Sequence, residues 1–320
     1  MGVFCAVDLQ TFSVIKQGFR DYYTSDRCRF DFVVDPKFRH FRVRFFKESG
    51  EQEDPTSVLQ DAVWVRVVDK VYSGGFLKRF LGRFSLVVHG VFHSVLSFIF
   101  SKEVRGRGDG VPCLGGPLVF DFDAFYLIGG RFLLPRDSDL ERLKEEVLCL
   151  RDFVRGWFGY RDFCYVFSGF KGFHLYVRDF DLEDHVFGGV DFLRREVQEL
   201  GVRRWISSFL LGEGFRFDRS VTPDTRRIIR VPGSINGHTG LKAKIFRSEG
   251  SFLRFRLHHS VVFPWDDFFE VRFNSPVQMV MLNDEVFGSF RKNEVVKLPK
   301  PIAFLYALNG YCSFLANEPS

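Results

Sequence analysis

Two carboxylates two positions apart, Asp121 and Asp123 in Leu118-Val119-Phe120-Asp121-Phe122-Asp123-Ala124-Phe125, have the types and spacing that chemistry can use. Apolar residues alternate with them, and a β-strand turns successive side chains to opposite faces. The stretch therefore reads as a strand that buries Phe120 and Phe122 and projects both Asp side chains from the other face. Like charges so close repel at neutral pH unless water, hydrogen-bond donors or a cation offset them. A divalent ion does so directly, because Mg²⁺ or Mn²⁺ takes hard oxygen ligands and keeps positions for substrate phosphates. The alternative is a solvated strand face.

Three further segments carry groups that suit a phosphate-handling site. In Ser168-Gly169-Phe170-Lys171-Gly172-Phe173-His174-Leu175-Tyr176-Val177 two glycines allow a tight turn whose amides can approach an anion. In the strand that follows, His174 and Tyr176 face away from Phe173, Leu175 and Val177, so Ser168, Lys171 and His174 can converge on phosphate oxygens. A plain hairpin with a solvated Lys is the competing reading, and the GxxxxGK[ST] phosphate loop is absent. In Phe215-Arg216-Phe217-Asp218 the alternation again buries two Phe and leaves Asp218 on the polar side. A third carboxylate on a separate strand would complete a two-metal centre; a surface Asp is the simpler explanation. Thr225 to Gly240 runs as a basic strand into a Gly-rich turn, where Arg forks and turn donors can hold a polyphosphate or merely edge a solvated hairpin.

These segments need elements to position them. Thr11–Tyr23 is predicted as a helix with Phe12, Ile15, Phe19 and Tyr22 near one face. The alternating run from Arg29 to Phe46, broken at Asp35-Pro36, predicts a two-stranded hairpin with Arg39, His40, Arg42 and Arg44 as a basic side. An acidic loop is predicted from Glu48 to Pro55, and a flexible one from Arg105 to Gly110. Periodicity does not separate helix from strand between Val58 and Phe100. Asp137–Trp157 is predicted as a helix, with Leu140, Leu143, Val147, Leu150 and Val154 at helical spacing. A strand from about Cys164, a Gly-rich turn and a strand over Phe173–Val177 follow. Asp191–Leu210 is predicted helical, Phe215–Thr222 and Arg226–Val231 as strands, and the closing tract from Lys297 as a helix. There is no internal repeat, low-complexity tract or linker, which predicts one α/β (α+β) unit of mixed β-sheets flanked by helices around an acidic metal site.

A chain of 320 residues with 46% hydrophobic content can build a sizeable core. Its net charge of +5 is compatible with a polyanionic partner without requiring one. The 42 Phe are assigned mainly to core filling, with exposed ones available to stack on bases. The first residues lack a secretory pattern, and no stretch reaches the roughly 18 apolar residues of a membrane span, so a cytosolic protein without membrane contact is expected. Cys5, Cys28, Cys113, Cys149, Cys164 and Cys312 show no CxxC or CxH spacing, and reduced, mostly buried thiols are expected.

Taken together and in this order, LGGPLVFDFDAF, SGFKGFHLYV and FDRSVTPDTRRIIRVPGSINGHTGL resemble the motifs of the small catalytic subunit of archaeal and eukaryotic DNA primase, within the archaeo-eukaryotic primase superfamily. The tail EVVKLPKPIAFLYALNGYC is similar as well. The likeness is specific from about Leu114 to Leu241 and weak over residues 1–110, where Tyr22-Tyr23 and Arg39-His40 are the familiar features. The resemblance implies a single primase catalytic domain over residues 1–320. It implies template-directed synthesis of short RNA primers, in archaeal members also DNA, on single-stranded DNA from NTPs or dNTPs. Carried over by motif position, Asp121, Asp123 and Asp218 would be the catalytic residues and would bind two Mg²⁺ or Mn²⁺ ions. Ser168, Gly169, Lys171, Gly172 and His174, with Arg227, Arg230, Asn236 and His238, would hold the incoming triphosphate. A primase large subunit, carrying the family's iron–sulfur domain, would complete a heterodimer.

Some positions depart from the family. Lys171 stands where the family has Arg, which keeps the charge but loses the bidentate fork. Asn236 and His238 stand where it has His and Lys, so a fixed positive charge becomes one that titrates. Between Asp123 and Ser168 only Cys149 and Cys164 are present, without His, and no structural zinc is expected. Rival readings are a primase-polymerase of a mobile element or repair pathway, and a non-catalytic nucleic-acid-binding subunit.

Overall fold

The computed structural model describes residues 8–33, 35–36, 39–46, 63–67, 74–82, 87–98, 113–124, 133–191 and 194–315. The acidic loop expected over 48–55 and the Gly-rich loop over 105–110 lie outside the described residues, as do Cys5 and Phe125.

In chain order the elements begin with α1 (Leu9–Thr24), β1 (Phe41–Phe45), β2 (Val63–Val67), α2 (Gly74–Leu81) and β3 (Val88–Ser94). Two short strands, β4 (Ser97–Phe98) and β5 (Cys113–Gly115), lead to β6 (Leu118–Asp123). Then come α3 (Asp137–Phe158), β7 (Phe163–Phe167), β8 (Gly172–Val177), α4 (Arg195–Gly212), β9 (Ile228–Arg230), β10 (Lys244–Phe246) and α5 (Glu249–Leu253). The chain closes with β11 (Phe268–Phe273), β12 (Val280–Leu282), β13 (Glu285–Phe287), β14 (Val295–Pro299), α6 (Lys300–Leu308) and β15 (Cys312–Phe314).

Two four-stranded sheets carry the architecture, one ordered β2-β1-β3-β9 and one ordered β10-β7-β8-β6; β14-β11-β15 form a third sheet. The fold is thus mixed α/β, with antiparallel sheets flanked by helices. Strands β6 and β7 both pair antiparallel with β8, which lies between them, so they run parallel to each other with α3 as their connection. This is a split β-α-β unit. Helix α3 forms because its apolar residues recur at helical spacing, Asp137 and Asp139 occupy its first turn, and Gly159 at φ 79° ends it in the left-handed conformation. It lays Leu140, Leu143, Val147, Leu150 and Val154 against the face of β6 and β8 that carries Phe120, Phe122, Phe173 and Leu175.

The opposite face of that sheet holds a smaller apolar cluster, in which Val119, Cys164, Val166 and Tyr176 meet Val95, Leu96 and Ile229 beside the first sheet. Asp121 and Asp123 share this face with Val119, because side chains alternate along β6. The acidic pair therefore lies where the two sheets approach each other.

Two expectations are corrected. Residues 29–33 are not a strand: the Asp31 amide donates to Pro232 O at 3.1 Å, and β1 pairs with β2 and β3 rather than with them. Phe215–Thr222 is also not a strand but a loop with turns. Its two Phe are anchored separately, Phe217 against Phe120 (5.1 Å between centroids) and Phe215 against Phe153 (5.0 Å), so their alternation does not mark a ladder. No helix among the described residues is long and apolar enough to cross a membrane. Cys28, Cys113, Cys149, Cys164 and Cys312 are free thiols, all buried except Cys149.

Candidate active site

Strand pairing sets the first contacts. In the β6–β8 register Asp121 lies opposite His174 and Asp123 opposite Gly172. His174 Nε2 is 3.5 Å from Asp121 Oδ1. Burial, then Arg227 and Arg230, hold the imidazole at about 4, so the contact joins a carboxyl to a neutral ring and is not an ion pair. Gly172 is required by close approach: a Cβ there would stand 1.7 Å from Phe122 O. The turn is closed by the Ser168 amide on Gly172 O (2.9 Å), and the Ala124 amide on Lys171 O (3.1 Å) fastens it to the end of β6.

Asp218 arrives from a distant part of the chain. Its amide donates to Asp121 O at 2.8 Å, which clips its loop onto β6, while its Oδ1 accepts from the Ser220 amide at 2.8 Å. Burial raises the Asp121 carboxyl to about 7; Asp123 and Asp218 push it further up, and Arg227 opposes them. Asp121 therefore ionises reluctantly in this buried, acidic setting, and added positive charge would favour its charged form. Among the described residues no group of three or more His, Cys, Asp or Glu side chains is arranged to hold a metal ion as it stands. The donor set, three carboxylates with an excess of negative charge, nevertheless fits a hard divalent cation in its chemistry.

A cavity of about 230 Å³ opens beside the carboxylates, and Asp121, Asp123, Ser168, Lys171, Gly172, His174, Arg227, Arg230 and Asn236 line it. Most of the residues singled out from sequence therefore meet at one place. Asp218, Gly169 and His238 do not line this cavity but adjoin it. Gly169 O accepts from Thr239 Oγ1 at 2.6 Å, joining the two turns, and His238 lies 6.3 Å from Phe170, ring to ring. A larger cavity, about 650 Å³ between residues 183–187 and α4, contains none of the predicted site residues.

The turn after β9 is held from several sides. Tyr22 Oη donates to Gly233 O at 2.7 Å, and the Ile235 amide donates to Tyr23 Oη at 3.0 Å. Ser234 Oγ accepts from the Val91 amide of β3 at 2.8 Å. Asn236 Oδ1 accepts from the His238 amide at 2.9 Å, so this carboxamide shapes its own turn and keeps its NH₂ as a donor. Arg230 donates from Nη1 to Ile235 O at 2.7 Å and lies over the Phe92 ring at 4.5 Å. Burial lowers its guanidinium to about 10.

Sequence reasoning missed three contributors. Phe92 and Phe170 line the cavity, and Lys171 Nζ stands 4.9 Å over the Phe170 ring. His89 packs directly under Gly237, where a Cβ would come 1.8 Å from His89 Nε2, and His89 is buried with neither ring nitrogen hydrogen-bonded. The first sheet carries an irregularity between Arg44 and Phe45, where Arg44 faces Gly90 but Phe45 faces Val88, leaving His89 as the extra residue. Such bulges re-aim side chains, and a lone His in an apolar stretch gives no sequence signal for one.

The chain is similar to curated DNA primase small subunits. That of Sulfolobus acidocaldarius is 27% identical over 253 residues, covering 66% of this chain and 72% of that protein. That of Archaeoglobus fulgidus is 23% identical over 281 residues, covering 71% and 78%. That of Sulfurisphaera tokodaii is 36% identical over 177 residues, covering 44% and 53%. No protein-family model matches. Among solved structures, the polymerase domain of Mycobacterium tuberculosis ligase D in complex with DNA aligns with a TM-score of 0.43 at 14% identity, over 80% of this chain and 89% of that one.

Proposed function

With the chain a relative of archaeal DNA primase small subunits, we propose that it is a primase catalytic subunit that makes short RNA or DNA primers on single-stranded DNA by nucleotidyl transfer. The observation that carries the reading is the clip of Asp218 onto Asp121, beside Asp123, at the rim of a cavity lined by Lys171, Arg227 and Arg230. An acidic trio next to a cationic cradle is what joining a hydroxyl to a nucleoside triphosphate requires.

In this reading Asp121, Asp123 and Asp218 would hold two Mg²⁺ or Mn²⁺ ions. Bound ions supply charge neutralisation and polarise the reacting oxygens. The chain's own residues supply alignment. Lys171, Arg227 and Arg230 face the triphosphate oxygens, the neutral His174 offers a ring hydrogen bond, and the Ser168–Gly172 turn offers a hydroxyl and backbone donors. Fixing the Asn236–His238 turn through Tyr22, Tyr23 and Ser234 holds this cradle in one geometry before substrate arrives. Residues 1–320 act as one catalytic domain in the cytoplasm, together with a primase large subunit.

The test is primer synthesis on single-stranded DNA with labelled nucleotides, Mg²⁺ or Mn²⁺, and the large subunit where one is encoded beside this chain. Wild type should make short products de novo, and Asp121→Ala or Asp218→Ala should lower the rate by ~10³-fold or more. Extension of an annealed primer without de novo products would instead make it a superfamily polymerase. No product, with DNA binding intact, would make it a binding subunit.

A further inference from the structure

The basic run at residues 39–44 is split by the fold. Arg39 turns inward, buried, with Nη1 on Ser94 O at 3.3 Å. Arg42 and Arg44 turn the other way, because Phe41, Val43 and Phe45 take the core side of β1. Residues paired directly across antiparallel strands share a face. Arg42 pairs with Phe92 and Arg44 with Gly90 on β3, and Phe92 pairs in turn with Arg230 on β9. Gly90 has no side chain, and the Arg230 guanidinium occupies that space, with Nη1 2.6 Å from where a Cβ would be. Arg44 therefore adjoins Arg230 over one bare glycine, with Arg42 one pleat along. This same face continues into the cavity, since Phe92 and Arg230 line it, but Arg42 and Arg44 do not.

A cationic strip thus leaves the cavity and crosses the sheet from β9 to β1, about 10 Å at the usual strand spacing. Its groups are close enough to act on one another: burial is the main cause of the lowered proton affinity of Arg230 and His238, and Arg44 adds to it in both. A ligand confined to the cavity would not cover the strip, so the ligand that does is longer than the nucleotide placed there. We propose that Arg42 and Arg44 hold phosphodiester groups of a single-stranded nucleic acid running across β3 and β1 out of the active-site cavity. That the cavity is an active site rests on the primase reading; binding of the strand does not.

The test measures affinity of the full chain for a fluorescent oligodeoxynucleotide by anisotropy across a salt series, alongside KM for the nucleotide. Arg42→Ala and Arg44→Ala should each reduce the slope of log affinity against log salt by about 0.7, the single-strand value per phosphate. The double variant should bind ~10-fold more weakly at low salt, with KM for the nucleotide within about twofold of wild type. Arg→Lys at both sites should restore the slope, which separates lost charge from lost folding. An unchanged slope in the double variant overturns the proposal, as does a raised nucleotide KM with oligonucleotide binding intact, or a wild type that binds no single strand. A wild type that binds the strand with the expected slope but makes no product leaves this inference standing and removes the primase reading.

Discussion

At the scale of single residues the site is governed by close contacts that composition does not reveal. Gly237 is held against His89, and a methyl group there would have to displace the imidazole or lift the turn that carries Asn236 and His238. Gly237→Ala should raise nucleotide KM by ~10-fold with a smaller change in kcat, and combining it with His89→Ala should recover part of the loss. A coupling of about 1 kcal/mol or more from that double-mutant cycle is expected for groups in direct contact; strictly additive effects would count against the packing. The carboxylates were legible because Phe120 and Phe122 alternate with them on a true strand. Asp218 was legible only as a residue type. Its placement depends on a backbone bond to Asp121, and the Phe-Arg-Phe alternation before it serves two separate aromatic contacts.

At the scale of elements, α4 reaches the segment ahead of β6 through one buried arginine, which an ion pair within the helix holds in place. Arg203 Nε donates to Glu199 Oε2 at 2.7 Å, and its other nitrogens donate to Pro117 O at 2.8 Å and Gly116 O at 2.5 Å, just ahead of β6. Both side chains are 1% exposed. Removing one partner strands the other, so Arg203→Ala should cost about 3–5 kcal/mol in urea unfolding. A smaller cost than about 1 kcal/mol would mean that water reaches the pair. Helix α1 acts in a similar way on the other side of the site. Tyr22→Phe loses the hydrogen bond to Gly233 O and should destabilise by about 1 kcal/mol while raising nucleotide KM. Helices α1 and α3 were readable from periodicity, since each has one buried face of regular spacing, whereas β7 and β8 are buried on both faces and were readable as apolar runs on either side of a Gly-rich turn. In the 29–46 run the second half is the strand β1, but residues 29–33 misled because Phe30, Phe32 and Val33 pack against different neighbours and no hydrogen-bond ladder accompanies them.

At the scale of the whole molecule, stability depends on pH through imidazoles enclosed by the two main sheets. Burial and the charge of Arg39 hold His93 at about 4 against an ordinary 6.5. Above pH 6.5 the ring is neutral in both folded and unfolded chains and has no effect. Between 6.5 and 4 the unfolded chain binds a proton that the folded one refuses, so the His93 contribution to stability falls as pH drops through this window, while Asp121, raised to about 7, contributes in the opposite direction. From pH 7.5 to 5 the loss should be about 2 kcal/mol from His93 alone, and it should appear as the difference between the wild-type and His93→Gln profiles; equal slopes in wild type and variant would contradict it. His89 acts in the same direction, also being held low by burial and by Arg44 and Arg230. The first helix also contacts the last elements of the chain: the Phe314 amide donates to Thr11 Oγ1 at 2.7 Å, and α1 packs on β15 and α6. During synthesis the oily stripe of Phe12, Ile15 and Phe19 can pack on Phe46 and β3 early, but its cover is completed only when residues near 300 have left the ribosome. The tyrosines that hold the turn at residues 233–235 ride on that helix, so a nascent or prematurely stopped chain would be sticky and would leave that turn unheld, and dependence on chaperones should end at the moment the turn is fixed.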